Sequence, residues 1–291
     1  MATVPANTQN RQGELSELTF EQRLAKILHD QITTGSSFLS AFDTETISAQ
    51  SMKVLVGTGE GRAAVVGELD EIPVGKDDVS EVDVEPVKYG KMRVLSSELI
   101  DDSNPNAISR ATAKLAGEIY RGIDDDFLNA PTQTDKNKKA CTGILQGLTA
   151  KGEVKDNLDA VMDAKAEIAD AEGSASLFIV HPLSAAEMRK TKVKLADKTE
   201  GNTYLLSGND FADGLTVIES KFMPQGKALI ADRTAVTAVI RKTMDIKTDA
   251  SRYFENDAVA VRGLFRAAWI ITAKDKMRLI TVPKKKADEA K

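Results

Sequence analysis

The chain of 291 residues carries 39 basic and 44 acidic side chains, a net charge of −5, with 42% hydrophobic and 29% charged residues. That balance supports a packed core and excludes a wholly disordered chain, and the acidic total excludes a protein that binds nucleic acid through its overall charge, though not a local basic patch. No apolar run approaches the roughly 18 to 20 residues of a membrane-crossing helix, and the single cysteine, Cys141, leaves no partner for an intrachain disulfide, which fits a reducing compartment.

Residues 1–13 read as a polar tail, and the opening "MATVPANTQNRQGELSELTF" lacks the basic start and apolar stretch of a signal peptide. Leu18, Leu24, Ile27, Leu28 and Ile32 predict a short amphipathic helix ending near Gly35. A helix of that length needs another surface to lie against.

Residues 51–95 are rich in alternating β-formers punctuated by glycine, including "MKVLV", "AAVV" and "VSEVDVEPVKYGKMRVL". They predict a long hairpin. Between Glu68 and Glu85 stand eight acidic residues, Glu68, Asp70, Glu71, Asp77, Asp78, Glu81, Asp83 and Glu85, against the single Lys76. Two strands alone bury little, so such an arm requires a partner surface, and another copy of the chain can provide it.

Asn104 and Pro105 then mark a helix start. Ile108, Thr112, Leu115, Ile119, Ile123 and Phe127 repeat at the spacing of one helix face, predicting a helix over about 105–129. Its end carries Asp124, Asp125 and Asp126. Consecutive helical positions point about 100° apart and cannot converge on a metal, so the expectation is a solvated face or a contact between subunits. Arg121 lies four residues before Asp125, a spacing that permits a surface pair.

Beyond the polar loop "PTQTDKNKKACTG", Asp156 or Asn157 can cap a helix reaching Ala171, with Val161, Ala164, Ile168 and Ala171 facing inward. "SLFIV" reads as a buried strand, and "HPLSAAEMRK" as a helix with Pro182 in its first turn. Strand signals follow in "LTVIES", "KALIAD", "AVTAVIR", "MDIKTD", "AVAVRGLFRAAWIITA" and "KMRLI". Helices and strands are segregated, which predicts an α+β fold.

Catalytic chemistry has no visible anchor. "KVLVGTGEGR" resembles a glycine-rich phosphate loop but continues as strand rather than helix, so its glycines are better suited to a bend or bulge. The only histidines are His29 and His181, too few for a zinc site with a lone Cys141, and His181 at a strand–helix junction is positioned to satisfy local backbone. The expectation is no cofactor, no metal and no enzyme activity. "MRKTKVKLADK", residues 188–198, holds five basic residues against one acidic one, a solvated face or a seat for a neighbour's acidic groups.

Several stretches in order resemble the HK97-like major capsid proteins of tailed bacteriophages: "VLSSELIDDSNPNAISRATAKLAGEIYRGIDDDFLN" followed by "TGIL", then "FIVHPLSAAEMRKTK", "LTVIESKFMPQGKALIAD" and "FENDAVAVRGLFRAAWIITAKDKMRLI". The resemblance covers roughly residues 40–282. It implies an N-terminal arm at 1–40 and an extended hairpin, the E-loop, at 51–88. A peripheral domain with a long spine helix would comprise 41–50, 89–145 and 245–285, with an axial domain at 146–244 and a charged tail at 286–291. It further implies a shell of hexamers and pentamers around double-stranded DNA, assembled in the bacterial cytoplasm and carried in the virion. Its partners would be further copies, a separate scaffolding protein and a portal, with weak non-specific DNA contact and no membrane. A compartment shell of the encapsulin type and a soluble nucleotide-binding enzyme are the alternatives.

The candidate contact residues are Glu68, Asp70, Glu71, Lys76, Asp77, Asp78, Glu81 and Asp83 on the hairpin and Asp124 and Asp125 on the helix. Arg189, Lys190, Lys192 and Lys194 are the proposed basic counterparts. Some members of the family cross-link an E-loop lysine to a neighbour's asparagine with help from a glutamate. Lys76 suits the lysine, but aligning on Arg266 puts Asp257 at the asparagine and Leu264 at the glutamate, with Asn256 one position away. No cross-link is expected.

Overall fold

The computed structural model describes residues 36–57, 65–66, 79–98, 106–131, 141–194, 200–206, 210–211, 214–249 and 251–284. The helix expected within 15–35, the Asn104–Pro105 start, Lys76 with most of the acidic strip, and the charged tail lie outside them.

The longest described helix, α2 (Asn106–Asn129), follows the expected stripe: Leu115, Ile119, Ile123 and Phe127 are all buried. At 1.5 Å per residue it is a rod of about 36 Å. Its last carbonyls are not left bare. The returning chain donates to them from Ile144 N–H to Phe127 O at 2.8 Å and from Leu145 N–H to Leu128 O at 3.2 Å. This close approach explains the glycine of "TGIL", because a Cβ on Gly143 would stand 2.6 Å from Ala130 N and 2.8 Å from Leu128 O.

Residues expected to belong to an arm instead enter the body. Helix α1 (Ser37–Ala41) places Phe38 and Leu39 in the core, with Phe42 just beyond it. The ring of Phe38 stacks on Phe127 at 3.7 Å, and Trp269 meets both rings edge-on at 5.7 and 5.6 Å. Phe38 and Phe42 thus anchor the chain at residues 38–42 to the end of α2 and to Trp269.

Two sheets organise the rest. One has four strands in the order β1-β12-β13-β4: β1 (Asp43–Thr46), β12 (Val236–Asp249), β13 (Ala258–Ile271) and β4 (Val87–Ser96). Helix α2 packs on one face of it. "AVTAVIR" and "MDIKTD" form one strand, β12, interrupted by register shifts between Ile240 and Asp245.

The other sheet has six strands in the order β5-β14-β11-β6-β10-β9. These are β5 (Ala150–Glu153), β14 (Met277–Thr281), β11 (Lys227–Asp232), β6 (Ala175–Val180), β10 (Leu215–Glu219) and β9 (Asp210–Phe211). It is a wall between two cores. Leu177, Ile179, Leu229 and Leu279 face the core under α2, while Phe178, Val180, Ile230 and Ile280 face a second core roofed by α3 (Asp159–Asp170) and α4 (Pro182–Lys190). Burial on both faces explains the unbroken apolar run of "SLFIV".

Strand β14 was expected in the peripheral part but pairs with β11 in the six-stranded sheet, and the first half of β12, expected in the axial part, belongs to the four-stranded sheet. The expected cap is corrected at α3, whose N-cap is Leu158 with no side-chain cap. Asn157 instead bonds Asp159, and Asp156 pairs with Lys194 at 2.9 Å. The Pro182 start stands, with His181 Nδ1 accepting from Leu183 N–H at 3.1 Å.

Candidate assembly surface

The described strands of the expected hairpin pair with each other. β2 (Met52–Gly57) pairs antiparallel with β3 (Val79–Val84), and among the described residues the pair joins no larger sheet. Gly57, the first glycine of "GTGEGR", lies in this ladder opposite Val79, which is not the strand-to-helix turn a phosphate loop needs. Met52, Val54, Val82 and Val84 share one side of the ribbon. Val84 is buried against the body, but Val82, two residues further out, is 39% exposed. Lys53, Glu81 and Asp83 share the other side, and Lys53 reaches Glu81 at 2.9 Å with both side chains more than half exposed. The apolar side thus outruns the surface it rests on. At the hairpin's base lies a cavity of about 730 Å³ bounded by Val82, Val84, Cys141, Trp269 and Ile271.

The three aspartates separate into three environments. Asp124 is buried and accepts from Ser36 Oγ at 2.6 Å and from Phe38 N–H at 3.3 Å, tying the end of α2 to the start of α1. It does not lie on a solvated face, and it is spent inside the chain. Asp125 is exposed and takes a hydrogen bond from Asn129 at 3.0 Å. Asp126 accepts from the Tyr89 hydroxyl at 3.0 Å. Burial pushes the Asp126 carboxyl up even though that hydrogen bond pulls it down, and burial together with the Asp126 charge pushes Tyr89 far up. The three do not converge, and among the described residues no cluster of three metal-ligating side chains occurs.

The basic candidates are already engaged. Arg189 meets Glu219 at 2.6 Å, Lys190 meets Glu187 at 3.0 Å, and Lys194 meets Asp156 at 2.9 Å; Lys192 lies exposed on β7 (Lys192–Lys194). Exposed pairs of this kind are worth about 0 to 1 kcal/mol, so the segment is partly self-neutralised rather than locked. The cross-link positions are equally plain. Asp257 takes the left-handed conformation (φ 44°) closing the turn Phe254–Asn256, and Leu264 lies over Gly90, where an added Cβ would stand 2.6 Å from its Cδ2. Leucine offers no base. Cys141 is buried, and burial raises its thiol, the setting of a structural rather than a reactive cysteine.

Sequence reasoning missed a second surface. On the four-stranded sheet, the face turned away from α2 exposes Met92 and Val94, 42% and 45% accessible. The turn joining β12 to β13 at the same end presents Phe254, 84% accessible. Alternation in "KMRVL" identified two sides of the strand but not which one the protein would cover.

A sequence model described as the Phage capsid family matches residues 23–282. Among solved structures, a chain from Microbacterium phage Oxtober96 superposes with a TM-score of 0.68 at 18% identity, over 84% of this chain and 90% of that one. A chain from Mycobacterium phage Adephagia gives 0.66 at 15% identity, over 85% and 89%. The capsid of a native GTA particle gives 0.61 at 18%, over 84% and 89%. The fold is HK97-like. No curated protein matches the sequence.

Proposed function

The chain belongs to the phage capsid family, and on that premise we propose that it is the major shell protein of a tailed-phage head, in which hexamers and pentamers enclose double-stranded DNA. The observation that carries this reading beyond the family is the β2–β3 ribbon. It leaves the body with one apolar side only partly covered and, among the described residues, with no third strand, a form that gains stability from a neighbouring molecule.

The mechanism is associative. Each copy spreads its contacts over several others through its projections, so that individually weak interfaces act together once a ring closes. Glu81 and Asp83 on the ribbon and Asp125 at the end of α2 are contact candidates still exposed on the folded chain. Assembly on a separate scaffolding protein in the bacterial cytoplasm, with a portal at one vertex, completes the proposal.

Negative-stain microscopy of the expressed chain, with and without its candidate scaffold, tests it. Closed shells of uniform size are expected with the scaffold, and particles recovered from infected cells should contain DNA. A small soluble oligomer under both conditions would overturn the shell, and enzyme cargo in place of DNA would identify a compartment instead. Mature shells should give one monomer band on denaturing gels, since Leu264 supplies no base for a cross-link.

A further inference from the structure

The two sides of the layer made by α2 and the four-stranded sheet offer different things to a partner. The open sheet face exposes Met92 and Val94, apolar side chains that suit a protein surface. On the other side, no large apolar side chain of α2 is exposed among its described residues, and the outer face of the helix presents cations. Lys114 and Arg121 are both exposed. Seven residues apart, they point the same way around the helix to within about 20° and stand about 10 Å apart along it. Gly117 lies between them and adds no bulk. Past Arg121, the exposed Lys221 joins it across a cleft of about 300 Å³ that Tyr120, Pro182 and Phe222 help to wall.

The carboxylates along this side are engaged within the chain, whereas these three cations are not. Glu118 is held by Arg93 and Lys91, and Glu219, at the cleft, by Arg189 at 2.6 Å. Asp124 is buried beneath Ser36 and Phe38, and Asp126 takes the Tyr89 hydroxyl. Asp125, one turn beyond Arg121, is the exposed carboxylate of the stripe, and it takes the Asn129 amide. Among the described residues, Lys114 and Arg121 have no carboxylate partner, and Lys221 rests over the Phe222 ring at 4.9 Å. Three cations against one exposed carboxylate leave this side positive on a chain whose net charge is −5.

Point cations along a rod, with no apolar anchor among them, match a partner that is itself a repeating anion. Duplex DNA is such a partner, because its phosphates give up condensed counterions when lysine and arginine approach. We infer that the outer face of α2, with Lys114, Arg121 and Lys221, meets the phosphates of the enclosed duplex. The α2 side then lines the interior of the shell, and the Met92–Val94 face is turned outward. Phosphate contacts carry no sequence information, so the surface accepts any packaged sequence. Each copy contributes little, and the many copies of a shell act together. The inference rests on the shell reading and deepens it by naming the side that faces the cargo.

The test uses filled heads of the full chain, compared before and after their DNA is released. Lysines are acetylated with acetic anhydride, a reagent small enough to enter the shell, and located by mass spectrometry. Lys114 and Lys221 should be protected in filled heads and lose that protection once the DNA is gone, and the protection should weaken as salt is raised. Lys88 and Lys247, on the opposite sheet face, should show no change. In parallel, Lys114→Ala, Arg121→Ala and Lys221→Ala together should leave subunit circular dichroism and scaffold-dependent shells unchanged, while filled heads lose their DNA at a lower temperature. Equal acetylation of Lys114 and Lys221 in filled and emptied heads would overturn the inference and leave the shell reading standing. A folded triple variant that forms no shells would do the same, by making the stripe a contact between proteins. If the unaltered chain formed no shell with its scaffold, both would fall.

Discussion

The two ends of the four-stranded sheet differ in how completely the chain finishes them. At the end near the hairpin base, Phe38, Phe42, Phe127 and Trp269 are buried against one another, Trp269 donates to Thr142 O at 2.8 Å, and Asp124 is bonded to Ser36 and Phe38. At the far end, Met92, Val94 and Phe254 face outward. The contrast separates what the subunit folds for itself from what it leaves for assembly. Substitutions at the first end should therefore be read out as stability, and at the second as association.

The largest expected effect is at the aromatic cluster. Phe127→Ala removes the ring that Phe38 stacks on and should cost about 3 to 5 kcal/mol, seen as a lowered denaturant midpoint of the unassembled chain. Gly143→Ala forces a methyl into three backbone atoms within 3 Å and should cost roughly 1 to 3 kcal/mol in the same measurement. Asp124→Ala leaves Ser36 Oγ and Phe38 N–H without their buried acceptor, again about 1 to 3 kcal/mol, and should speed proteolysis at the start of α1.

A smaller effect concerns acid. Burial alone would raise the Asp232 carboxyl, but the Ser174 and Thr234 N–H groups and the Thr234 hydroxyl donate to it and hold it below its ordinary value. Its contribution is present above the unfolded value, about pH 4, and is lost as pH falls through the lower folded value. Asp126, raised by burial, works in the opposite sense: it favours folding in acid and loses that contribution as pH rises through its raised value. Asp232→Asn should flatten the acid limb of the stability profile, and Asp126→Asn should not. The smallest effect on folding belongs to the far end, where Phe254→Ala should change subunit stability by no more than about 0.5 kcal/mol while reducing shell yield.

Much of the fold was legible because single elements declare themselves. The i, i+4 stripe from Leu115 to Phe127 gave α2, and Pro182 behind His181 gave the start of α4. The misreadings concern long-range pairing. "KMRLI" is short and buried on both sides, so nothing local told which sheet it would join. The triple aspartate was read as one group, yet a signal was present: Asp124 stands eight residues after Ala116 and four before Leu128, on the buried stripe itself. Asp156 and Asn157 looked like caps because cap residues are also good partners for nearby side chains, which is how the protein uses them. The basic run at 188–194 drew attention by its density, although its neutralising acids, Asp156, Glu187 and Glu219, were scattered along the chain. The exposed pair Met92 and Val94 becomes recognisable as one open face only when β4 aligns with β13.

The six-stranded sheet has a mechanical consequence. Alternate residues of β6, β11 and β14 anchor in opposite cores, so neither half of the subunit can slide without shearing the backbone ladder between them. A tug applied at either extremity travels through hydrogen-bonded strands instead of bending a linker. The subunit should therefore yield in a single step when pulled, and behave in a lattice as a stiff tile with its compliance confined to its rim.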